Sequence, residues 1–402
     1  MTFYELIIYS SYIHFPIPVR FTMGTENSRL NILWVADHVG FGEVIHGPGH
    51  FYLNMIPEFD KNAFKIVFCV LRGKQHLHDP LIKDGFTVYY LNRGKTNFLT
   101  IIDLLKIVKK EHIDILHLHG YGSANFGRIV SIVTKVPNII HAYDEDINYP
   151  IIQVVSDYLL KNVTTKAIAV SKAVKRSCIT KRNIPEDKIY ILHTGISSSK
   201  FEKIPEDEFN QVKSVYKIGH DTKVVGTLAR LREEKGIKYF IKAAPMVLKE
   251  YPDVVFFIAG DGPQFDELKR LAKDLGVENN IIMAGFCDQP KSVLSLFDIF
   301  ILASLKEGFS ASIQEAMALK KAIVATDVGG TPEMLKHNDT GIMVPAGDSK
   351  NLSLAILDLL RDDKKRDRLG VRAFETCQKW KLNVLVKDLE TLYAGLSNKV
   401  LS

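Results

Sequence analysis

The stretch from Ile299 to Glu333, IFILASLKEGFSASIQEAMALKKAIVATDVGGTPE, gathers groups that bind anions and hydroxyls. An apolar run ends near Ala303, a turn carries Glu307, Gly308 and Phe309, and a helix is predicted from about Ile313. Ser312 and Glu315 match the S-x-x-E pattern in which a hydroxyl and a carboxylate cap a helix start reciprocally. The backbone N–H groups of Ser310, Ala311, Ser312 and Ile313 then point outward with the positive end of the helix dipole behind them, an arrangement suited to a phosphate. With seven residues between them, Glu307 and Glu315 put one carboxylate on the loop and one in the first turn, beside the same ligand. Arg230 and Lys235 stand in GTLARLREEKGI, residues 226 to 237, after another apolar run; alone, such a pair is ordinary surface charge.

The first half offers glycines and histidines instead. HVGFGEVIHGPGHFY, residues 38 to 52, contains Gly40, Gly42, Gly47 and Gly49, which let a backbone approach a ligand closely. The spacing is not G-x-G-x-x-G and no acidic residue follows at the dinucleotide distance, which disfavours an NAD site. His46 in this stretch reads as a loop histidine without a catalytic task. His117 and His119 in DILHLHG are expected to alternate across a strand, so that one is buried and hydrogen-bonded. His141 ends the apolar run of PNIIHAYDED.

These loops need a frame. From Leu30 onward, short β-branched runs alternate with amphipathic stretches, the pattern of repeated βα units in a parallel sheet. Strands are predicted at residues 31–36, 65–71, 87–91, 115–118, 138–141, 167–170 and 189–192, with a helix over 98–111 between two of them. After a polar segment at 197–207 the alternation restarts, with strands at 223–227, 254–259, 280–284, 299–302 and 322–325. The expected fold class is therefore α/β: two Rossmann-like, doubly wound parallel-sheet domains facing across a cleft, covering residues 29–200 and 201–380. A last helix, within residues 381–402, either caps the second domain or crosses back to the first. Ligands of such sheets bind beyond the carboxyl ends of the strands, which is where the informative residues fall.

Bulk properties narrow the function. A chain of 402 residues, 46% hydrophobic and 24% charged, is ordinary globular material. Four cysteines scattered singly (Cys69, Cys178, Cys287, Cys377) suggest neither a zinc site nor a disulfide framework and fit a reducing, cytoplasmic location. The charge is uneven: residues 29–200 hold 22 Lys+Arg against 15 Asp+Glu, whereas residues 201–402 hold 29 of each. A basic first domain suits acidic headgroups or phosphorylated acceptors, and so peripheral contact with the inner membrane face, as well as a plain solvated surface. Nothing suggests nucleic-acid binding. Phe3 to Phe21 lacks the basic region and cleavage site of a signal peptide, and residues 1–28 are expected to be an extension outside the fold, with Met23 as the natural start because the first convincing strand begins only at Leu30.

The Ile299–Glu333 segment resembles the C-terminal signature of the family 4, group 1 glycosyltransferases: Glu, seven residues, Glu, then EAMA and VATDVGG. The resemblance implies the GT-B fold and a retaining, metal-independent sugar transfer from a nucleotide-diphosphate sugar, with no cofactor. It assigns Glu307 to the donor sugar's hydroxyls, Glu315 to the ribose, and Arg230 and Lys235 to the diphosphate. Gly262 in AGDGP and Phe286 in AGF match donor contacts, together with Gly308, Phe309, Ser310 and Ala311. The family often has Gly-Leu after the Phe where this chain has Ser310-Ala311, which leaves backbone donation intact and bears on the sugar's shape.

The same resemblance puts the glycine-rich loop opposite the donor phosphate and a histidine near the reacting sugar, a place for which His141 and Tyr143 compete. Gly329, Gly330 and Glu333 are expected to shape a turn and a helix start. Asp144 to Asp146 spells a D-x-D, which binds a divalent metal in a different glycosyltransferase fold and is read here as a solvated loop. The implied acceptor is a glycan or a lipid-linked glycan, in surface polysaccharide or lipid-linked glycan assembly. Two rivals remain, a non-catalytic sugar-nucleotide-binding subunit and a sugar-nucleotide epimerase on the same architecture.

Overall fold

The computed structural model describes residues 29–41, 44–45, 47–73, 79–94, 96–144 and 151–397. Residues 1–28, Gly42, His46, Glu145 and Asp146 lie outside the described residues, and so do the expectations placed on them.

The strands are β1 (Leu30–Ala36), β2 (Gly40–Phe41), β3 (Val44–Ile45), β4 (Phe64–Val70), β5 (Thr87–Tyr90), β6 (Ile115–His119), β7 (Asn138–Ala142), β8 (Lys166–Ala169) and β9 (Ile189–Ile191). The second half adds β10 (Val224–Leu228), β11 (Val255–Ala259), β12 (Ile281–Gly285), β13 (Ile299–Leu302), β14 (Ala322–Thr326) and β15 (Ile342–Val344). They form a seven-stranded sheet in the order β5-β4-β1-β6-β7-β8-β9 and a six-stranded sheet in the order β12-β11-β10-β13-β14-β15, both parallel. The fold is α/β with two doubly wound sheets, as the alternation of runs predicts. The β2–β3 hairpin and β15 were not among the predicted strands, being only two or three residues each.

Burial on both faces explains the continuous apolar runs. In β1, Leu30, Ile32, Trp34 and Ala36 pack on one side with Phe51, Tyr52 and Met55 of the Gly47–Met55 helix. Leu33 and Val35 pack on the other with Leu104 and Ile107 of the Leu99–Lys110 helix. The Leu382–Leu396 helix lies against the first of these faces, where Leu385, Leu389 and Tyr393 join the cluster of Trp34 and Phe59. It crosses back to the N-terminal sheet. Among the described residues no helix is long and apolar enough to span a membrane.

Candidate active site

The two loops that the sequence singles out in the second half are bolted together below the cleft. Gly236 has φ +60° and lies so close to β13 that a Cβ would sit 2.1 Å from the Ala303 carbonyl oxygen. Leu305 N donates to Glu234 O at 2.8 Å in the same seam. Only glycine meets both demands. The consequence is a salt bridge between Lys235 Nζ and Glu307 Oε2 at 2.8 Å, with Ser304 Oγ donating to the same carboxylate oxygen at 3.1 Å.

A third loop braces Arg230. Gly260 and Gly262, at φ +141° and +158°, pass within 1.8 and 2.5 Å (Cβ to carbonyl oxygen) of Ala229 and Leu231. Leu231 N donates to Asp261 O at 2.9 Å. Gly262 thus holds the Arg230 loop in place, and Arg230 itself is solvent-exposed, its guanidinium lowered from its ordinary value first by partial burial and then by Arg232. Phe286, 56% exposed, follows β12 directly at the strand's carboxyl end, an open aromatic face suited to stacking.

The helix after Glu307 runs Ala311–Ala318, and its cap is Ser310, whose Oγ accepts from Ile313 N at 3.3 Å. This corrects the expected box: Ser312 is inside the first turn and Glu315 caps nothing. A chain that leaves β13 through the tight Gly308 turn reaches helical geometry two residues early. Glu315 instead pairs with Lys200 at 2.8 Å. Ser310 and Phe309 turn their side chains inward, Phe309 against His193 and Trp380 at centroid distances of 4.6 and 5.2 Å. Any contact they make with a ligand is through backbone, and Ala311 is exposed beside them.

The domains touch around this turn. A Cβ on Gly308 would lie 2.1 Å from the carbonyl oxygen of Tyr143, and one on Gly330 would lie 2.1 Å from Gly308 O and 3.1 Å from Ser171 Cβ. Gly330 and Glu333 do begin a short helix, Thr331–Met334, yet Glu333 also reaches across: it accepts from Lys172 N at 2.7 Å and lies 3.3 Å from His193 Nε2. Gln314 Nε2 donates to Thr194 O at 2.7 Å nearby.

On the N-terminal side, Asp144 follows β7, near enough to Lys235 and Glu307 for their charges to act on it. Desolvation raises its carboxyl above the ordinary value although the side chain remains solvent-accessible; Lys235 opposes that rise, and Glu307 and Glu234 add to it. Asp144 itself is exposed in the loop after β7.

The three histidines form a layer beneath. His117, His119 and His141 are all buried, at 0, 1 and 3% exposure, which corrects the expectation that His117 and His119 face opposite ways. Residues two apart in a strand share a face. His117 Nδ1 lies 2.5 Å from Tyr393 Oη and its Nε2 3.2 Å from His141 Nδ1, while His119 Nδ1 lies 2.8 Å from Tyr143 Oη. Tyr143 stacks on the His141 ring at 4.4 Å. Burial lowers the His141 pKa to about 3. Candidate nitrogens of the three rings lie within 4.8 Å of one another, a metal-like grouping, but His117 already uses both of its nitrogens. The glycine-rich stretch divides: Gly40 belongs to the hairpin, while Gly47 and Gly49 open the Gly47–Met55 helix that packs on this layer through Phe51.

Two parallel sheets with a cation–carboxylate pair and a helix start at their meeting edge make a GT-B architecture. Residues 208–376 match the family model "Glycosyl transferases group 1" and residues 45–200 match "Glycosyltransferase Family 4". The chain belongs to the group 1, family 4 glycosyltransferases. It is 27% identical over 306 residues to N-acetyl-alpha-D-glucosaminyl L-malate synthase of Bacillus anthracis, covering 72% of this chain and 77% of that protein. It is 26% identical over 276 residues to UDP-Gal:alpha-D-GlcNAc-diphosphoundecaprenol alpha-1,3-galactosyltransferase of Escherichia coli, covering 66% and 70%. Anabaena HepE in complex with UDP superposes with a TM-score of 0.80 over 91% of this chain and all (100%) of that one, at 18% identity, a likeness of fold.

Proposed function

We propose that this glycosyltransferase moves a sugar from a nucleotide-diphosphate sugar to an acceptor hydroxyl with retention of anomeric configuration and without a metal ion. The observation that carries the reading is the Lys235–Glu307 pair at 2.8 Å beside the Ala311–Ala318 helix start. Breaking the bond from the anomeric carbon to the diphosphate oxygen puts negative charge on the leaving group. Lys235, Arg230 and the first-turn amides of Ala311 and Ser312 meet that charge with fixed donors, each worth about 3 kcal/mol of barrier in comparable oxyanion sites. Glu307 orients the sugar's hydroxyls, Glu315 takes the ribose, Phe286 stacks on the base, and the glycine-rich segment with Gly47 faces the phosphate. His141 stands near the reacting sugar. The acceptor oxygen attacks from the face the diphosphate leaves, so no enzyme nucleophile is used.

HepE has been solved with UDP and with UDP-glucose, and the Escherichia coli relative's name specifies a UDP-galactose donor and a diphosphoundecaprenol-linked acceptor. These support a UDP-sugar donor and a lipid-linked glycan acceptor, in surface polysaccharide or lipid-linked glycan assembly at the cytoplasmic membrane face. The Ile151–Leu160 helix supports the membrane contact: Ile151, Ile152 and Leu159 are 77, 67 and 70% exposed on it, with Lys161 adjacent. Such a face buries into an anionic interface.

The test is transfer to a synthetic lipid-diphosphate acceptor in EDTA, with the product's anomeric configuration read by NMR. Retained configuration and full activity in EDTA are expected. An inverted product, or activity restored only by manganese, would overturn the reading.

A further inference from the structure

The buried histidines belong to a hydrogen-bonded line whose direction is set at its far end. Trp34 Nε1 lies 2.7 Å from Tyr393 Oη. An indole N–H only donates, so the hydroxyl oxygen accepts there. The same hydroxyl lies 2.5 Å from His117 Nδ1. Tyr393 is fully buried (0% exposed), and its one proton needs an acceptor. His117 Nδ1 is that acceptor and carries a lone pair.

His117 is neutral, because burial and then the neighbouring His141 hold its pKa well below the ordinary value. A neutral ring with a bare Nδ1 keeps its proton on Nε2, and Nε2 is 3.2 Å from His141 Nδ1. That nitrogen accepts in turn. The His141 proton is therefore on Nε2, a buried atom with no partner among the described residues. Running the line the other way would strand the Tyr393 proton in the core without an acceptor.

Register gives the loose end its direction. His117 pairs with Ile139 and His119 with His141, so His117 sits one row nearer the amino ends of the strands than His141 does. Nδ1 of His141 looks back toward that row, and Nε2, on the other side of the ring, looks away from it and is buried, with Tyr143 stacked on the ring at 4.4 Å.

We propose that Trp34, Tyr393 and His117 are positioning residues that lock His141 as the Nε2–H tautomer, so that it meets the substrate as a neutral hydrogen-bond donor to a sugar oxygen. It is then not the base that deprotonates the acceptor. The Leu382–Leu396 helix, which carries Tyr393, thereby takes part in the chemistry of the opposite strands. The inference rests on reading His141 as substrate-facing, and the experiment separates the two.

Long-range proton–nitrogen correlation spectra of the full chain, labelled with 15N-histidine, report which ring nitrogen carries the proton; His141→Ala identifies the resonances. The unaltered protein should show His141 protonated on Nε2 alone, and Tyr393→Phe should convert it to a tautomer mixture with a lower kcat and little change in KM. His141→Gln, whose amide can still donate, should keep kcat within about tenfold, while His141→Ala should lose about a hundredfold or more. A proton on Nδ1, or a charged ring at neutral pH, overturns the relay without any variant having to fold. The expected tautomer together with full activity in His141→Ala overturns the substrate contact instead.

Discussion

Lys235 Nζ lies 2.8 Å from Glu307 Oε2, so the cation assigned to the leaving diphosphate and the carboxylate assigned to the sugar neutralise one another before any ligand arrives. Neither group then sits in the cleft as an unpaired charge, and donor binding exchanges one ionic partner for another. Glu307→Gln should release Lys235. We expect equal or tighter binding of UDP by calorimetry and a fall of about a hundredfold or more in transfer. Weaker UDP binding would mean that the pair does not compete with the diphosphate.

Capping falls to Ser310, and the proposed ribose contact to Glu315. Ser310→Ala removes the bond to Ile313 N and should cost about 1 kcal/mol of stability, seen as a lower denaturation midpoint. Glu315→Gln breaks only the partly exposed Lys200 pair, so stability should stay within about 0.5–1 kcal/mol while nucleoside-diphosphate affinity falls. Unaltered affinity would remove Glu315 from the site.

Gly308 tests how closely the halves must meet. A methyl group there collides with the Tyr143 carbonyl at 2.1 Å and has no flexible side chain to displace. Gly308→Ala should leave UDP binding within a few fold, because the donor loop belongs to one half, and cut transfer by about a hundredfold, the scale of a 1 Å misplacement. Transfer at the ordinary rate would show that this contact is not part of the productive state.

The histidine layer predicts acid sensitivity. Burial first, with mutual proximity for His117 and His119, depresses all three pKa values, that of His141 to about 3. The folded state keeps these rings neutral while the unfolded chain protonates them below its ordinary histidine pKa of about 6.5. Their stabilisation is complete above that value and declines as pH falls from 6.5 toward the depressed values, by about 1.4 kcal/mol per unit for each histidine. Urea midpoints should drop steeply between pH 7 and 5. A flat profile would mean that the rings charge in the folded state.

Much of this was legible before the fold was known. β-branched runs located the main strands, because strands buried on both faces must be apolar throughout. The two loops carrying Arg230, Lys235 and Glu307 follow strands and so had to reach the cleft. What stayed hidden depends on distance in space. No local pattern pairs Lys235 with Glu307, sends Glu333 across to Lys172, or joins Trp34 to Tyr393. The cap was misplaced from Ser310 to Ser312 because both are serines near a helix start and the tight turn at Gly308 decides between them. The facing of His117 and His119 was a misapplied period of two.

The most direct measurement is calorimetric titration of UDP, with GDP and ADP for comparison, into the unaltered chain and into Lys235→Ala and Arg230→Ala, all in EDTA. If the two side chains and the helix start neutralise the pyrophosphate without an ion, one of these nucleotides binds the unaltered chain in EDTA. Each substitution should then weaken it by about tenfold or more. Binding that appears only when manganese is added, or that survives both substitutions unchanged, would contradict it.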